Sequence, residues 1–472
     1  MGNCLSDKMN ESTATPTTTT STSTTPPKKV VVIGASFGGQ GFVHGLMMKK
    51  GNDNTNESVL DPDASKHFSV ELLDSQKDFC LGAAFQYLWT NRVTDKKSIT
   101  YSMSQMKSAT FPGVSWKNER TVTSIDKESK TVSLTDGSIL SYDVLVLAAG
   151  VKSNPKLIPG LSESGAIDVC SWDHVDQLQS EIQSIISMAK SSSTSQQLLD
   201  VVVSITKSPY KCPPLPFEVV SLIDNELRSA GVRDSCQVYL TVPQAFPFGG
   251  PPAKKTFMNQ LKEMGIEYLE QHQIVSIEPK KQQNGKPQLS SSCLIHCEVE
   301  GETKSLNADA FFCTYPQQPP SFLMDSDLPK HKLGFVLVDL QTNKVDGIDD
   351  MYAVGDCCWT SFPAVGKPHP KAGQFAYDMG VAVGTHVKNK HMSPDTPPYI
   401  PTSRTGICAA ECGIDGKGVI VKPDFSDCIQ NPDSGKPKFN LENVTNASER
   451  KLQWINGFLE TFFGKGNVAP MQ

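Results

Sequence analysis

The stretch Lys28 to Met48, "KKVVVIGASFGGQGFVHGLMM", constrains this chain more than any other. A run of β-branched residues leads into a glycine-rich turn and then into apolar residues at helical spacing, which predicts a strand–turn–helix unit. Within it Gly34 and Gly39 occupy the first and last positions of a G-x-G-x-x-G pattern, Ser36 replaces the middle glycine, and Gly38 adds another small residue. Small residues are required there because a pyrophosphate must reach the backbone N–H groups at the helix N-terminus. The expected fold class is therefore α/β, with Rossmann-like dinucleotide binding at Gly34, Ser36, Gly38 and Gly39.

Three further segments extend the unit. After a polar insertion from Gly51 to about Lys66, "HFSVELLDSQ" predicts a second strand ending in Asp74, where a carboxylate would take the adenosine ribose hydroxyls. "KTVSLTDGSILSYDVLVLAAG" predicts a hairpin around Asp136-Gly137, then an apolar strand that ends at Gly150. "TNKVDGIDDMYAVGD" predicts a late strand finishing in Gly355-Asp356. A second β-α-β unit is expected in "LLDVVVSITKSPYKCPPLPFEVVSLIDNELR", but its turn contains no glycine. Four prolines lie between Val203 and Val219. Each fixes φ and lacks an N–H, so this loop cannot wrap the pyrophosphate of a nicotinamide cofactor.

The glycine turn, "LVLAAG" and "MYAVGD", in that order, resemble the two-dinucleotide-domain flavoproteins related to the pyridine nucleotide-disulfide oxidoreductases. That resemblance implies FAD, with its pyrophosphate on Gly34, Gly38 and Gly39, and its ribityl chain on Asp356 beside Gly355. "PYKCPPLPFE" is similar to the redox-cysteine segment of the sulfide:quinone oxidoreductases and of the flavoprotein subunit of flavocytochrome c sulfide dehydrogenase. "HPKAGQFAYDMGVAVG", "RTGICAAECGIDGKGVIV" and "ASERKLQWINGFLETFFG" resemble further segments of the latter, so the likeness runs from about Lys29 to Gly464. It implies a redox disulfide between Cys212 and Cys408, with Cys412 a rival for the second place. It also implies attack on that disulfide by hydrosulfide, a proton-handling role for Glu218, and stabilisation of reduced flavin by Lys371. For Glu218 a plain helix-dipole carboxylate is the other reading. Where the sulfide dehydrogenase subunit joins a cysteine to FAD this chain has Gly82, with Cys80 two residues away, so non-covalent FAD is expected.

A length of 472 residues exceeds what one core supports. The expected division is a tether over 1–27, a first FAD-binding part over 28–155, and a degenerate NAD-like domain with the cysteine loop over 156–310. A second FAD-binding part over 311–395 and a C-terminal segment over 396–472 complete it. With 44 basic against 50 acidic residues and a net charge of −6, nucleic acid is not an expected partner. No apolar stretch near 18 residues and no cleavable leader pattern is found, so neither a spanning helix nor a secretory signal is expected. Thirteen cysteines, with no CxxC spacing around Cys293, His296 and Cys297 or at Cys408 and Cys412, point to a reducing compartment and no metal. "MGNCLS" fits N-myristoylation at Gly2 with palmitate at Cys4, and the Thr/Ser/Pro-rich run after it reads as a flexible tether. Two acyl chains would hold the protein on the cytosolic face of a membrane. The leading expectation is FAD-dependent oxidation of sulfide or a small thiol, with electrons passing to a quinone or an acceptor protein. The rivals are a membrane-tethered NAD(P)H:quinone reductase of the ferroptosis-suppressor type and a non-catalytic flavin-bound interaction module.

Overall fold

The computed structural model describes residues 26–50, 58–90, 92–93, 95–191, 198–280 and 288–464. The expected acylation sites Gly2 and Cys4, and almost all of the expected tether, lie outside the described residues.

Two parallel sheets organise the chain. The first runs in the order Met351–Ala353, Val144–Leu147, Lys28–Ile33, Phe68–Leu73, Val114–Lys117. Its central strands are apolar at successive positions and fully buried, from Val30 to Val32 and from Val144 to Leu147. A strand covered on both faces needs that continuous pattern rather than an alternating one. The second sheet runs Ile167–Asp168, Ala310–Thr314, Leu199–Ile205, Cys236–Thr241, Glu267–Leu269. Because Ala310–Thr314 pairs with Leu199–Ile205, the second layer reaches past the expected division at residue 310.

Among the described residues six helices of eleven residues or more frame these sheets: α1 Phe37–Met47, α2 Val175–Ser191, α3 Leu215–Ser229, α4 Gly250–Met264, α5 Gly373–Met392 and α6 Ala447–Phe463. Helices α1 and α5 pack backbone against backbone. A Cβ on Gly41 would come within 2.1 Å of the Tyr377 carbonyl oxygen, and one on Gly380 within 2.2 Å of the Gly38 carbonyl oxygen. Only glycine permits that approach, and it joins the late FAD segment to the early one.

The chain crosses between the layers on a two-stranded ribbon, Lys152 opposite Gln318 and Ser153 opposite Gln317. Past α5 a three-stranded sheet of Cys408–Ala410, Gly418–Asp424 and Lys438–Val444 sets Ala410, Cys412, Val419 and Val421 into the core of the second layer. Helix α6 sets Ile455, Leu459 and Phe462 into the core of the first. The C-terminal segment therefore clamps both layers. On Cys293–Val299 the two-residue pleat buries Cys293 and Cys297 on the face opposite His296. Among the described residues no helix is long and apolar enough to cross a membrane.

Candidate active site

The glycine turn packs tightly against the neighbouring strand end. Gly34 has φ +101°, and a Cβ there would lie 2.2 Å from the Ala148 carbonyl oxygen, so the turn closes on the "LVLAAG" strand end only with glycine. Ser36 stands at the N-cap of α1 without a side-chain cap bond, and the first turn carries no acidic residue. The amides of that turn are thus not masked by a side chain, which suits an incoming anion. Asp74 borders the cradle: one carboxylate oxygen accepts from the Ala35 amide at 2.9 Å and the other from the Gln76 amide at 2.9 Å. Burial pushes its pKa up, with those two amides opposing. Gly150 has φ +63° and open space where a side chain would be.

The late motif supplies the other half. A cleft lined by Gly355, Asp356, Thr360, His369, Lys371 and Met379 lies at the start of α5. Asp356 Oδ1 is buried there without a partner among the described residues. An orphaned buried carboxylate oxygen costs free energy unless a donor fills the site, and a ribityl hydroxyl is such a donor. Lys371 is 6% exposed; its Nζ donates to the carbonyls of Asp356 at 2.7 Å and Cys358 at 3.0 Å and lies 4.2 Å from the centre of the Phe335 ring. Burial lowers its pKa and the Asp356 carboxylate opposes this. It is a buried cation whose partners are carbonyls, so it is held for something in the cleft. The residues present therefore fit FAD.

Between the strand Leu199–Ile205 and α3, three amides at the α3 end of the loop are hydrogen-bonded. Lys211 N donates to Gln317 Oε1 at 2.9 Å, Cys212 N to the Lys371 carbonyl at 2.8 Å and Leu215 N to the Cys212 carbonyl at 2.9 Å. Pro209, Pro213, Pro214 and Pro216 have none to give. The loop lies on Lys371, which carries Cys212, at φ +56°, to the cleft.

Cys212 and Cys408, both free and partly exposed, stand close enough for one thiol to donate a hydrogen bond to the other. That bond holds the Cys212 pKa down and drives the Cys408 pKa well up. Cys412 is fully buried and turned away, its Sγ donating to Gln260 Oε1 of α4 at 2.8 Å. Cys408, then, is the cysteine brought to Cys212. Cys80 is half-buried on a short strand and interacts with Thr100, and Gly82 opens a single 3-10 turn.

Glu218, in the first turn of α3, is 3% exposed and no simple dipole carboxylate. Its oxygens accept from Lys451 Nζ at 2.7 and 2.8 Å, and Oε1 also accepts from the Glu411 amide at 3.0 Å. Glu411 in turn pairs with Arg92. Sequence reasoning missed Lys451, Glu411 and Arg92, because a lysine on an amphipathic helix and a glutamate beside a strand read as solvated. The one available signal for Glu411 was its place between Cys408 and Cys412. It also missed Cys170, a buried thiol close enough to Cys212 for their charges to interact.

Residues 28–191 match the family model described as pyridine nucleotide-disulphide oxidoreductase. The mitochondrial sulfide:quinone oxidoreductase of Mus musculus is 20% identical over 69% of this chain, and the match spans 65% of its own length, just under two thirds. A type II NADH:quinone oxidoreductase of Staphylococcus epidermidis is 24% identical over 65% of this chain and 72% of its own. The solved structure of the sulfide:quinone oxidoreductase from Aquifex aeolicus superposes with a TM-score of 0.72 at 19% identity, covering 94% of this chain and 93% of that one. These matches bear out the expected α/β fold, the resemblance to sulfide:quinone oxidoreductases within this oxidoreductase superfamily, and FAD as the cofactor.

Proposed function

We propose that this chain, a pyridine nucleotide-disulphide oxidoreductase by its family match, is a quinone-linked flavoenzyme that oxidises hydrosulfide or a small thiol through Cys212 and Cys408. The observation that carries this reading is the approach of those two thiols beside Lys371, with Cys212 on a proline-rich loop whose Lys211 and Cys212 amides are already hydrogen-bonded. The names of the mouse and Aquifex relatives agree with it.

In the oxidised state the two sulfurs form a disulfide. Hydrosulfide attacks one of them, the S–S bond breaks, the attacked cysteine becomes a persulfide and the other leaves as a thiolate, so charge and atoms balance. Partial exposure admits a small anion, and a lowered Cys212 pKa suits a thiolate product. Glu218 stands within electrostatic reach of both sulfurs as a proton acceptor. Bound FAD supplies the two-electron acceptor for this pair and the donor to the quinone. The buried ammonium of Lys371 sits where negative charge on the reduced cofactor needs an opposite charge. Acylation at Gly2 and Cys4 would bring the protein to the cytosolic face of a membrane, where a quinone is reached.

The matches to type II NADH:quinone oxidoreductases favour a second reading, reduction by NADH. The four prolines and the bonded Lys211 and Cys212 amides of the Cys212 loop weigh against it, since they take N–H groups away from a second pyrophosphate. Anaerobic mixing of the flavin-loaded protein with hydrosulfide and, separately, with NADH decides between them. Rapid bleaching by hydrosulfide alone is expected, and rapid bleaching by NADH alone overturns the proposal.

A further inference from the structure

Four charged side chains meet beside the redox cysteines, each from a different part of the chain. Glu218 comes from α3, Lys451 from α6, Glu411 from the loop after Cys408–Ala410, and Arg92 from the segment after Trp89. Two are anionic and two cationic, so the cluster is neutral as long as both carboxyls are ionised. Lys451 is 6% exposed, spends two hydrogen bonds on the same carboxylate, and lies 6.0 Å from the centre of the Tyr87 ring. Two buried atoms of the cluster have no partner among the described residues, Glu411 Oε1 and Tyr87 Oη. Arg92 is the member that reaches solvent, with 29% of its side chain exposed, and it joins Glu411 to Ser448 at the start of α6.

Such a cluster is not explained by stability, since a buried ion pair seldom outdoes well-packed apolar residues. Its place explains it better. Hydrosulfide that opens the disulfide leaves a thiolate on one cysteine and an S–H on the persulfide of the other, and when that persulfide ionises its proton must be held nearby for the charge of this dry site to balance. Glu218 is a carboxylate in electrostatic reach of both sulfurs, and unpaired burial would protonate it before it was needed. We propose that Lys451 is a positioning residue of the redox centre: by clamping Glu218 through both oxygens it keeps that carboxyl ionised and able to take the proton that the persulfide releases. The titratable groups that face Glu218 are Lys451, Glu411, Tyr87, Cys212, Cys408 and Cys412, and they set the direction of its pKa together: burial raises it, and Lys451 opposes the rise.

This rests on the redox role proposed for Cys212 and Cys408, yet it can be tested without sulfide. In holoprotein reduced anaerobically with a phosphine, the rate of Cys212 alkylation by iodoacetamide is followed against pH. Removing a buried ammonium leaves Glu218 either charged against the thiolate or already protonated. Lys451→Met should therefore move the midpoint up by about one unit, a roughly tenfold loss of alkylation rate at pH 7. Lys451→Arg should restore it. Difference infrared spectra should show a protonated carboxyl at pH 7 in Lys451→Met that is absent in the wild type and in Lys451→Met/Glu218→Gln. A folded, flavin-loaded Lys451→Met protein with the wild-type midpoint and no such band overturns the proposal. Where that variant does not fold, the wild type decides: a carboxyl band lost in Glu218→Gln that titrates above pH 7 overturns it, and one titrating below supports it. Indifference to sulfide with the shift present would sink the function proposed above and leave this inference standing.

Discussion

Four positions separate Cys408 from Cys412, and at that spacing along one extended strand both would face the same way. The strand stops at Ala410, however, and the chain turns there, which sends Cys412 into Gln260 and leaves Cys408 against Cys212. Cys212→Ser and Cys408→Ser should each abolish reduction by hydrosulfide while leaving flavin bound, because two halves of one disulfide act as a unit. Cys412→Ser should leave the rate within a factor of about two, since a hydroxyl can also donate to Gln260. Anaerobic stopped-flow absorbance distinguishes these, and a dead Cys412→Ser beside a live Cys408→Ser would move the second sulfur. Asp356→Ala should weaken FAD retention by about 2 kcal/mol, or roughly thirtyfold, through loss of a charge-assisted hydrogen bond at the orphaned Oδ1. Flavin occupancy after gel filtration checks it, and unchanged occupancy would mean that the oxygen faces something else. At this scale the resemblance of "PYKCPPLPFE" pointed to Cys212, and the prolines on both sides marked its loop as fixed. Lys451 was not legible, since its partner lies 233 residues away and nothing local distinguishes it from a solvated lysine.

Among the elements, the contact of α1 with α5 is the one most exposed to a single change. Gly41→Val should destabilise the protein by about 3 kcal/mol, because the new methyls must enter the space of the Tyr377 carbonyl and the helices must part. Gly457→Ala is the contrasting case: that glycine lies exposed within α6 with open space at its Cβ, and alanine should add about 0.5–1 kcal/mol by helix propensity alone. Thermal unfolding of the two variants tests both, and equal melting temperatures would contradict the crossing. The elements themselves were largely readable, since strand–turn–helix units announce themselves by local pattern. Sheet membership was not. "AFFCT", Ala310 to Thr314, is buried on both faces and shows no alternation, so nothing in it says which layer it joins, and the division expected between 310 and 311 falls inside this strand of the second sheet.

For the whole molecule the C-terminal segment is the joint: it enters the second core through the Cys408–Ala410 sheet and the first core through α6. Its two redox-site residues, Cys408 and Lys451, are therefore placed only when both layers are folded and docked. Membrane binding is a separate matter, proposed for the acylation motif at the other end of the chain. Gly2→Ala should move the protein from the pelleted to the soluble fraction, since it blocks the first acyl chain and stable membrane binding requires two. Continued pelleting would shift the anchor to α6. The ribbon between the layers has a different bearing. The chain leaves the first layer at Lys152–Ser153 and returns to it at Gln317–Gln318, strands paired side by side. Everything between them is thus a cassette with adjacent entry and exit, which a short turn could replace without disturbing the order of the first sheet. A lineage built this way can exchange the chemistry it offers its cofactor by exchanging one insert, while the cofactor's own cradle is inherited untouched.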